Sequence, residues 1–300
     1  MHLGASKARN TAKGRVLLFS RIYSGQQLQL KFESDLQLPA LVSCLVFLPP
    51  SYMIATAGNQ IFVLGLTGVA NNKLRIVCQH TCRFAVMAVT VSLSKIFVAC
   101  QKEGILVFAF NEHEKLLSLV CSENIPRTVG SLCSVSEEYV IGSDRMGNLF
   151  ALSLLTGDTQ SDVKCKVSFS LDETVFATKK GALSFLEKRQ RRQTILCTSV
   201  CGTIFGLAQI DEADFNTLQT LEVQMKKTLA SQPALRKGLL LGLTPRLHTD
   251  QTTMIDGDLL TSFLEMDLST QQSIWKDICN PECTLDSVLK ILNNIEQRLL

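Results

Sequence analysis

The chain has 300 residues, 46% of them hydrophobic and 19% charged, with a formal net charge of +3. That composition excludes a disordered or fibrous chain, and no apolar run approaches the roughly eighteen residues of a membrane-spanning helix, so no membrane partner is expected. The net charge is too small to argue by itself for nucleic acid.

Residues 1–12 read as a basic, flexible N-terminus. Lys7, Arg9, Lys13 and Arg15 fall in the first fifteen positions with no acid among them and no apolar core of a secretory signal. A short transit peptide is the alternative.

Residues 13–209 carry a repeat. Apolar strand pairs joined by small-residue turns recur at Gly14–Phe19, Tyr52–Leu64, Lys95–Phe108, Tyr139–Leu152 and Thr194–Leu207. Gly14, Gly58, Gly104 and Gly147 are 44, 46 and 43 residues apart; the next step, to Gly202, is 55 and contains an extra hairpin around Lys179-Lys180-Gly181. Glycine is expected to supply the positive φ of these short turns. A further apolar strand precedes three of the pairs, at Leu41–Phe47, Phe84–Val91 and Val129–Val135. A period near 40–45 residues with four strands per unit is that of a propeller blade, and continuous apolar runs suit strands sandwiched between blades. A doubly wound α/β sheet would need amphipathic helices between strands, and residues 20–200 offer none. The expected fold is mainly β: a WD-type β-propeller of four to five blades, incomplete, followed by a small all-α domain.

Eleven cysteines are scattered through these apolar segments. Such cysteines act as small buried hydrophobes, and without a secretory signal they fit the reducing cytosol or nucleus.

Residues 210–300 switch to helical periodicity. The charge changes too: residues 211–300 hold 8 basic and 13 acidic side chains, against 22 and 14 in residues 1–210. Phe215, Leu218, Leu221, Met225 and Leu229 line one helix face, with Asp211, Glu212 and Asp214 in its first turn, where they favour the helix dipole. Pro233 and Gly238 mark its end, and residues 234–253 read as a loop. Asp256 or Asp258 caps a helix beginning near Leu259, with Gly257 allowing a sharp turn and Leu259, Leu260, Phe263 and Leu264 on the apolar face. Ser269 with Gln272 gives a capping-box-like start for a short helix holding Ile274 and Trp275. Thr284 starts a last helix along Leu285, Val288, Leu289, Leu292, Ile295 and Leu299.

No nucleophile elbow, phosphate loop or zinc-protease helix is present, so no catalytic residue, cofactor or small-molecule substrate is predicted. Asp256 and Asp258 could ligate a hard cation, but a helix cap explains them equally well. Cys78, His80 and Cys82 place three soft ligands on one side of a strand without a fourth. Cys197 with Cys201 and Cys279 with Cys283 lack histidine support, and His113 and His248 read as surface positions. No metal is expected. The cluster Lys188, Arg189, Arg191 and Arg192 reads as a solvated tip between strands, as a phosphate contact or as a nuclear-import signal. In the propeller, the loop residues Lys102, Glu103, Arg145 and Met146 are candidate partner contacts.

The stretch Met254–Asp267, MIDGDLLTSFLEMD, resembles a segment near the C-terminus of the CPSF A subunit family. That family of very large β-propeller scaffolds includes the large subunits of the damaged-DNA-binding complex and of the cleavage and polyadenylation specificity factor, and the third subunit of splicing factor 3b. The first of these has a nearly identical hydrophobic-Ile-Asp-Gly-Asp-Leu pattern followed by Phe-Leu, matched here by Ile255, Asp256, Gly257, Asp258 and Phe263. Residues 142–149, GSDRMGNL, are similar to an Ala-Asp-Lys-Phe-Gly-Asn pattern in the splicing member. The resemblance covers about residues 13–300. The loop between Gly147 and Gly202 is shorter than in those relatives, and the cysteine content is unusual.

The family carries seven-bladed propellers, three to a chain, so four to five blades imply the C-terminal part of such a protein. The resemblance also implies a non-catalytic scaffold in the nucleus, bound to proteins of a multi-subunit complex. In the family such complexes are cullin-RING ubiquitin ligases or the machinery of polyadenylation and splicing. Direct binding of RNA or damaged DNA is the competing reading, resting on the basic balance of residues 1–210 and the Lys188–Arg192 cluster. A propeller enzyme would need polar groups converging on the central channel, and the apolar inner strands do not supply them.

Overall fold

The computed structural model describes residues 13–24, 27–67, 73–123, 125–156, 161–171, 173–181, 194–231, 254–276, 278 and 284–299. A hairpin of β1 (Gly14–Ser24) and β2 (Gln27–Leu38) comes first. Three four-stranded sheets follow, each with its strands side by side in chain order. They are β3 (Val42–Leu48) to β6 (Lys73–Thr81), β7 (Val86–Ser92) to β10 (Leu116–Ser122), and β11 (Val129–Ser134) to β14 (Ser161–Ser170). Between their ends run β4 (Tyr52–Ala57) and β5 (Gln60–Thr67), β8 (Lys95–Cys100) and β9 (Ile105–Asn111), and β12 (Tyr139–Asp144) and β13 (Asn148–Thr156). A three-stranded sheet of β15 (Val175–Lys180), β16 (Thr194–Ser199) and β17 (Ile204–Ala208) ends the β region. Among the described residues four helices follow: α1 (Glu212–Ser231), α2 (Gly257–Leu264), α3 (Leu268–Lys276) and α4 (Leu285–Leu299). The architecture is the expected propeller arrangement, four blades plus a leading hairpin, with a helical C-terminal part.

The described chain packs as two compact units. The first ends at Lys166; the second begins at Val167 and also takes in Gly147–Leu149.

In the first unit, the middle strands of each blade are buried on both faces, which is why they read as unbroken apolar runs. Alternation sends neighbouring residues of one strand into different cores. Phe62 and Leu64 of β5 pack with Val16 and Leu38 of the hairpin, while Ile61 and Val63 pack with Val86, Ile96, Val98 and Phe108 of the next blade. Strand β8 repeats the device: Ile96 and Val98 face back, while Phe97 and Ala99 face forward to Val129, Val140 and Phe150. Each large side chain so buried contributes about 1.5–3 kcal/mol. A single blade cannot bury both its faces, so stacking is obligatory.

The first strands of successive blades are joined by polar side chains. The Ser43 hydroxyl donates to the Val86 carbonyl at 3.2 Å and the Ser134 hydroxyl to the Val91 carbonyl at 3.0 Å, while the Ser134 amide donates to Thr90 Oγ1 at 3.1 Å. Every first strand also carries a register shift near its start, at Val42/Cys44, Val86/Ala88, Val129/Ser131 and Val175/Ala177. One extra residue there bends the strand and sharpens its twist. The shift at Val175/Ala177 identifies β15 as the first strand of the last blade. It pairs with β16 in the register Lys180↔Ile195. The extra hairpin expected around Lys179–Gly181 is therefore not a separate one; those residues end an ordinary first strand. Thirteen residues connect β15 to β16, where the three preceding blades use three, two and four at the same point, and this accounts for the long step to Gly202.

In the second unit, the four helices share one core of Leu218, Leu221, Met225, Leu229, Leu259, Leu260, Phe263, Ile274, Val288 and Leu292. Asp256 is the N-cap of α2, its carboxylate accepting from the amides of Asp258 at 3.1 Å and Leu259 at 3.3 Å. Thr284 caps α4, exchanging hydrogen bonds with Ser287. The capping-box start expected at Ser269 is corrected. Helix α3 begins at Leu268, and Asp267 accepts from the Thr270 amide at 3.2 Å, from its hydroxyl at 2.6 Å and from the Ser269 hydroxyl. A carboxylate satisfies the free Thr270 amide better than the serine two residues inward.

Candidate partner-binding face

Strand direction alternates within a blade, so the turn between second and third strands and the connection to the next blade emerge at the same end. Backbone hydrogen bonds tie each such turn to the neighbouring connection. In the first unit the amides of Cys82 and Val86 donate to Asn59 and Gly58, both at 2.8 Å. Those of Glu123 and Arg127 donate to Ile105 at 2.8 Å and Glu103 at 3.4 Å, and that of Arg145 donates to Thr128 at 2.9 Å. The second unit repeats the pattern, with the Leu171 amide on Gly147 and the Val200 amide on Thr174. Within each unit these loops are thus cross-braced to one another.

The expectation that glycine supplies positive φ in the turns holds at Gly58, Gly147 and Gly202, at +62°, +86° and +91°. It fails at Gly104, whose φ is ordinary; there a Cβ would lie 2.6 Å from the Ile125 carbonyl oxygen, so glycine lets two loops touch. Gly14 is no turn at all but the first residue of β1.

Lys102 and Glu103 sit in the β8–β9 turn, and Arg145 and Met146 in the β12–β13 turn. Lys102 and Arg145 are exposed, Glu103 is half-buried, and Met146 is 78% exposed. The segment Glu123–Thr128 runs between the turns and bonds to both, so the structure brings the four residues onto one surface. Beneath it lies a pair that sequence reading missed. The Arg127 guanidinium donates from Nε to Glu123 Oε1 at 2.8 Å and stacks on the Phe150 ring at 4.4 Å. Both side chains are largely withdrawn from water, at 11% and 2% exposure. The i, i+4 spacing of Glu123 and Arg127 was a visible signal, but the intervening Pro126 hides it as a helix pattern. The second oxygen, Glu123 Oε2, is buried and has no hydrogen-bond partner among the described residues.

The other candidates resolve differently. His80 packs edge-on against Phe108 at 4.8 Å, and Cys78 packs into the core between the first two blades. The Cys82 thiol hydrogen-bonds to that of Cys100, which lowers its pKa; Glu103 nearby acts in the opposite sense. Among the described residues no three His, Cys, Asp or Glu side chains group as a metal site. Cys197 is buried and Cys201 exposed. His113 is exposed in the β9–β10 turn. Lys188, Arg189, Arg191, Arg192, His248, Cys279 and Cys283 lie outside the described residues.

The motif residues serve the helical core. Ile255 packs against it and Phe263 is fully buried within it. Asp258 lies in the first turn of α2. Gly257 is the first residue of α2, without positive φ, and a Cβ there meets nothing within 4 Å, so the sharp turn expected of it is not needed.

Blades braced at their loops and followed by a small helical core define a propeller of the kind that presents a rigid surface. Residues 3–265 match the CPSF A subunit region, and the chain belongs to that family. The match runs from before β1 through the end of α2, so it takes in every blade and the Ile255–Phe263 motif.

Proposed function

We propose that the chain is a non-catalytic nuclear scaffold or adaptor that holds protein partners on its propeller surface, as a subunit of a complex of the ubiquitin-ligase or RNA-processing kind. The observation that carries this reading is the braced surface bearing Lys102, Glu103, Arg145 and Met146. Exposed side chains on loops that cannot rearrange freely bind partners without a large ordering cost. Met146 is a flexible apolar contact flanked by Arg145, and methionine suits surfaces that accept more than one partner. Affinity purification from nuclear extract followed by mass spectrometry tests it. Cullin-ligase, splicing and polyadenylation subunits are the three expected outcomes, each naming a branch of the family, and recovery of none contradicts the proposal.

Direct nucleic-acid binding is the second reading, favoured by the Lys188–Arg192 cluster. It predicts binding to RNA or duplex DNA that weakens steeply with salt. No binding at about 100 mM salt contradicts it.

A further inference from the structure

Cys82 and Cys100 reach one place from two elements. Cys82 directly follows β6, and Cys100 is the last residue of β8, paired with Val86 at the start of β7. Both belong to the core between the first two blades, Cys100 fully buried and Cys82 4% exposed. The backbone fixes each of them. Asn59 holds Cys82 twice: its carbonyl accepts from the Cys82 amide at 2.8 Å, and its side-chain amide donates to the Cys82 carbonyl at 2.9 Å. Beside Cys100, the Gln101 amide donates to the Ala85 carbonyl at 2.9 Å. The two thiols meet in a hydrogen bond.

That contact makes the two sulfurs unequal. The Cys100 thiol donates and the Cys82 sulfur accepts, which favours the Cys82 thiolate and lowers its pKa, although burial and Glu103 act in the opposite sense. The same contact, with burial, pushes Cys100 up. Cys78, packed against the same core, is pushed up by burial. The thiolate is the reactive form, and a favoured thiolate beside a second thiol is the arrangement of redox-sensing cysteines, one oxidised and the other resolving it.

We infer that Cys82 and Cys100 form a redox couple that closes to a disulfide when the chain meets a peroxide. The Cys82 thiolate attacks one peroxide oxygen, and the O–O bond breaks. The hydroxide that leaves takes up the proton Cys82 lost, giving water and a Cys82 sulfenic acid. The Cys100 sulfur then displaces the hydroxyl from Cys82. The S–S bond forms, and the Cys100 proton leaves with that hydroxide as a second water. Two thiols are oxidised by two electrons, and one peroxide is reduced to two waters. Thiols already in contact need only a small approach to the ~2.05 Å of a disulfide. Closure ties the β6–β7 connection to the base of the β8–β9 turn. In a reducing compartment the pair rests as thiols and oxidises transiently.

Peptide mass spectrometry of the full chain tests the inference, after treatment with stoichiometric hydrogen peroxide, unfolding and alkylation of the remaining thiols. Trypsin releases Ile76–Arg83, which holds Cys78 and Cys82, and Ile96–Lys102, which holds Cys100. The expected product is these two peptides joined, with Cys78 alkylated, and its loss on treatment with dithiothreitol. Cys100→Ser removes the resolving sulfur and should leave a Cys82 sulfenic acid that dimedone traps. Cys82→Ser should leave Cys100 alkylated. Cys82 and Cys100 both alkylated in the treated parent, or Cys82 joined to a cysteine other than Cys100, overturns the inference. The parent chain carries this readout whether or not the variants fold. No partner is present, so neither result bears on the loop surface proposed for protein partners.

Discussion

The amide of Asp256 donates to Glu222 Oε1 at 3.3 Å, joining the start of α2 to the middle of α1 across 34 residues of sequence. The same carboxylate receives Lys226 Nζ at 2.9 Å, one turn further along α1. Asp256 in turn caps its own helix. The acidic motif therefore works as a joint: one side chain closes α2, and the backbone beneath it is held by a buried glutamate. Asp256→Ala removes the cap and should lower stability by about 1 kcal/mol. Glu222→Ala leaves the Asp256 amide without its acceptor and should cost a comparable amount, about 1–3 kcal/mol. Urea denaturation followed by far-ultraviolet circular dichroism measures both, and an unchanged midpoint for either contradicts this account of the joint.

Two glycines of similar appearance in the sequence should respond in opposite ways. At Gly142 a Cβ would lie 2.6 Å from the Phe150 ring and 2.8 Å from Leu132. Gly142→Ala is therefore an overpacking change, expected to cost about 1–3 kcal/mol. At Gly257 the Cβ meets open space in a helical first turn, so Gly257→Ala should be neutral or stabilising by up to about 1 kcal/mol. Thermal melts of the two variants side by side decide the matter.

Breaking the Arg127–Glu123 pair should be costly because it strands a withdrawn carboxylate. Arg127→Ala is expected to destabilise by roughly 3 kcal/mol, and Glu123→Gln by less, since the amide leaves no buried charge. Proteolysis of the Glu123–Thr128 segment, compared between variant and parent, checks whether the loss is local to the loops this pair supports.

The helical region should also report on pH. Hydrogen bonds from Ser269 and Thr270 hold the Asp267 carboxyl down at about 2. A group whose folded pKa is depressed stabilises the fold fully above its unfolded value, near 4, and loses that contribution as pH falls towards 2. Asp267→Asn should remove this acid-labile part. The difference in stability between parent and variant should be constant above about pH 4 and shrink below it. A difference that stays constant down to pH 2 contradicts the assignment.

The blades were legible because propeller packing writes itself into local patterns. Strands such as Ile61–Leu64 feed two cores at once, so they read as unbroken apolar runs, and the turns between them fall at a regular interval. The helices after Gln209 were legible from spacing alone, and Thr284 was foreseen at the start of α4; spacing left the cap of α2 open between Asp256 and Asp258, and it put the start of α3 at Ser269 where Asp267 takes the role. What the sequence hid is long-range or irregular. The register shift that marks every first strand leaves no residue signature: the skipped positions are Ser43, Met87, Gly130 and Phe176. Strand β15 was read as part of a separate hairpin because its apolar stretch is short and ends in Lys179 and Lys180. Of the candidate surface, the exposed loop residues were foreseeable from their place between strands. The Glu123–Arg127 pair that supports them was not, because its worth comes from Phe150, which belongs to the next blade.

The central claim is that partners are held by the braced loop surface. Its most direct test compares affinity-purified complexes of the unaltered chain with those of Lys102→Glu/Arg145→Glu/Met146→Ala, scored by quantitative mass spectrometry. The account predicts that the triple variant folds normally and loses most of the recovered subunits. Full retention of the same subunits by a folded triple variant would contradict it.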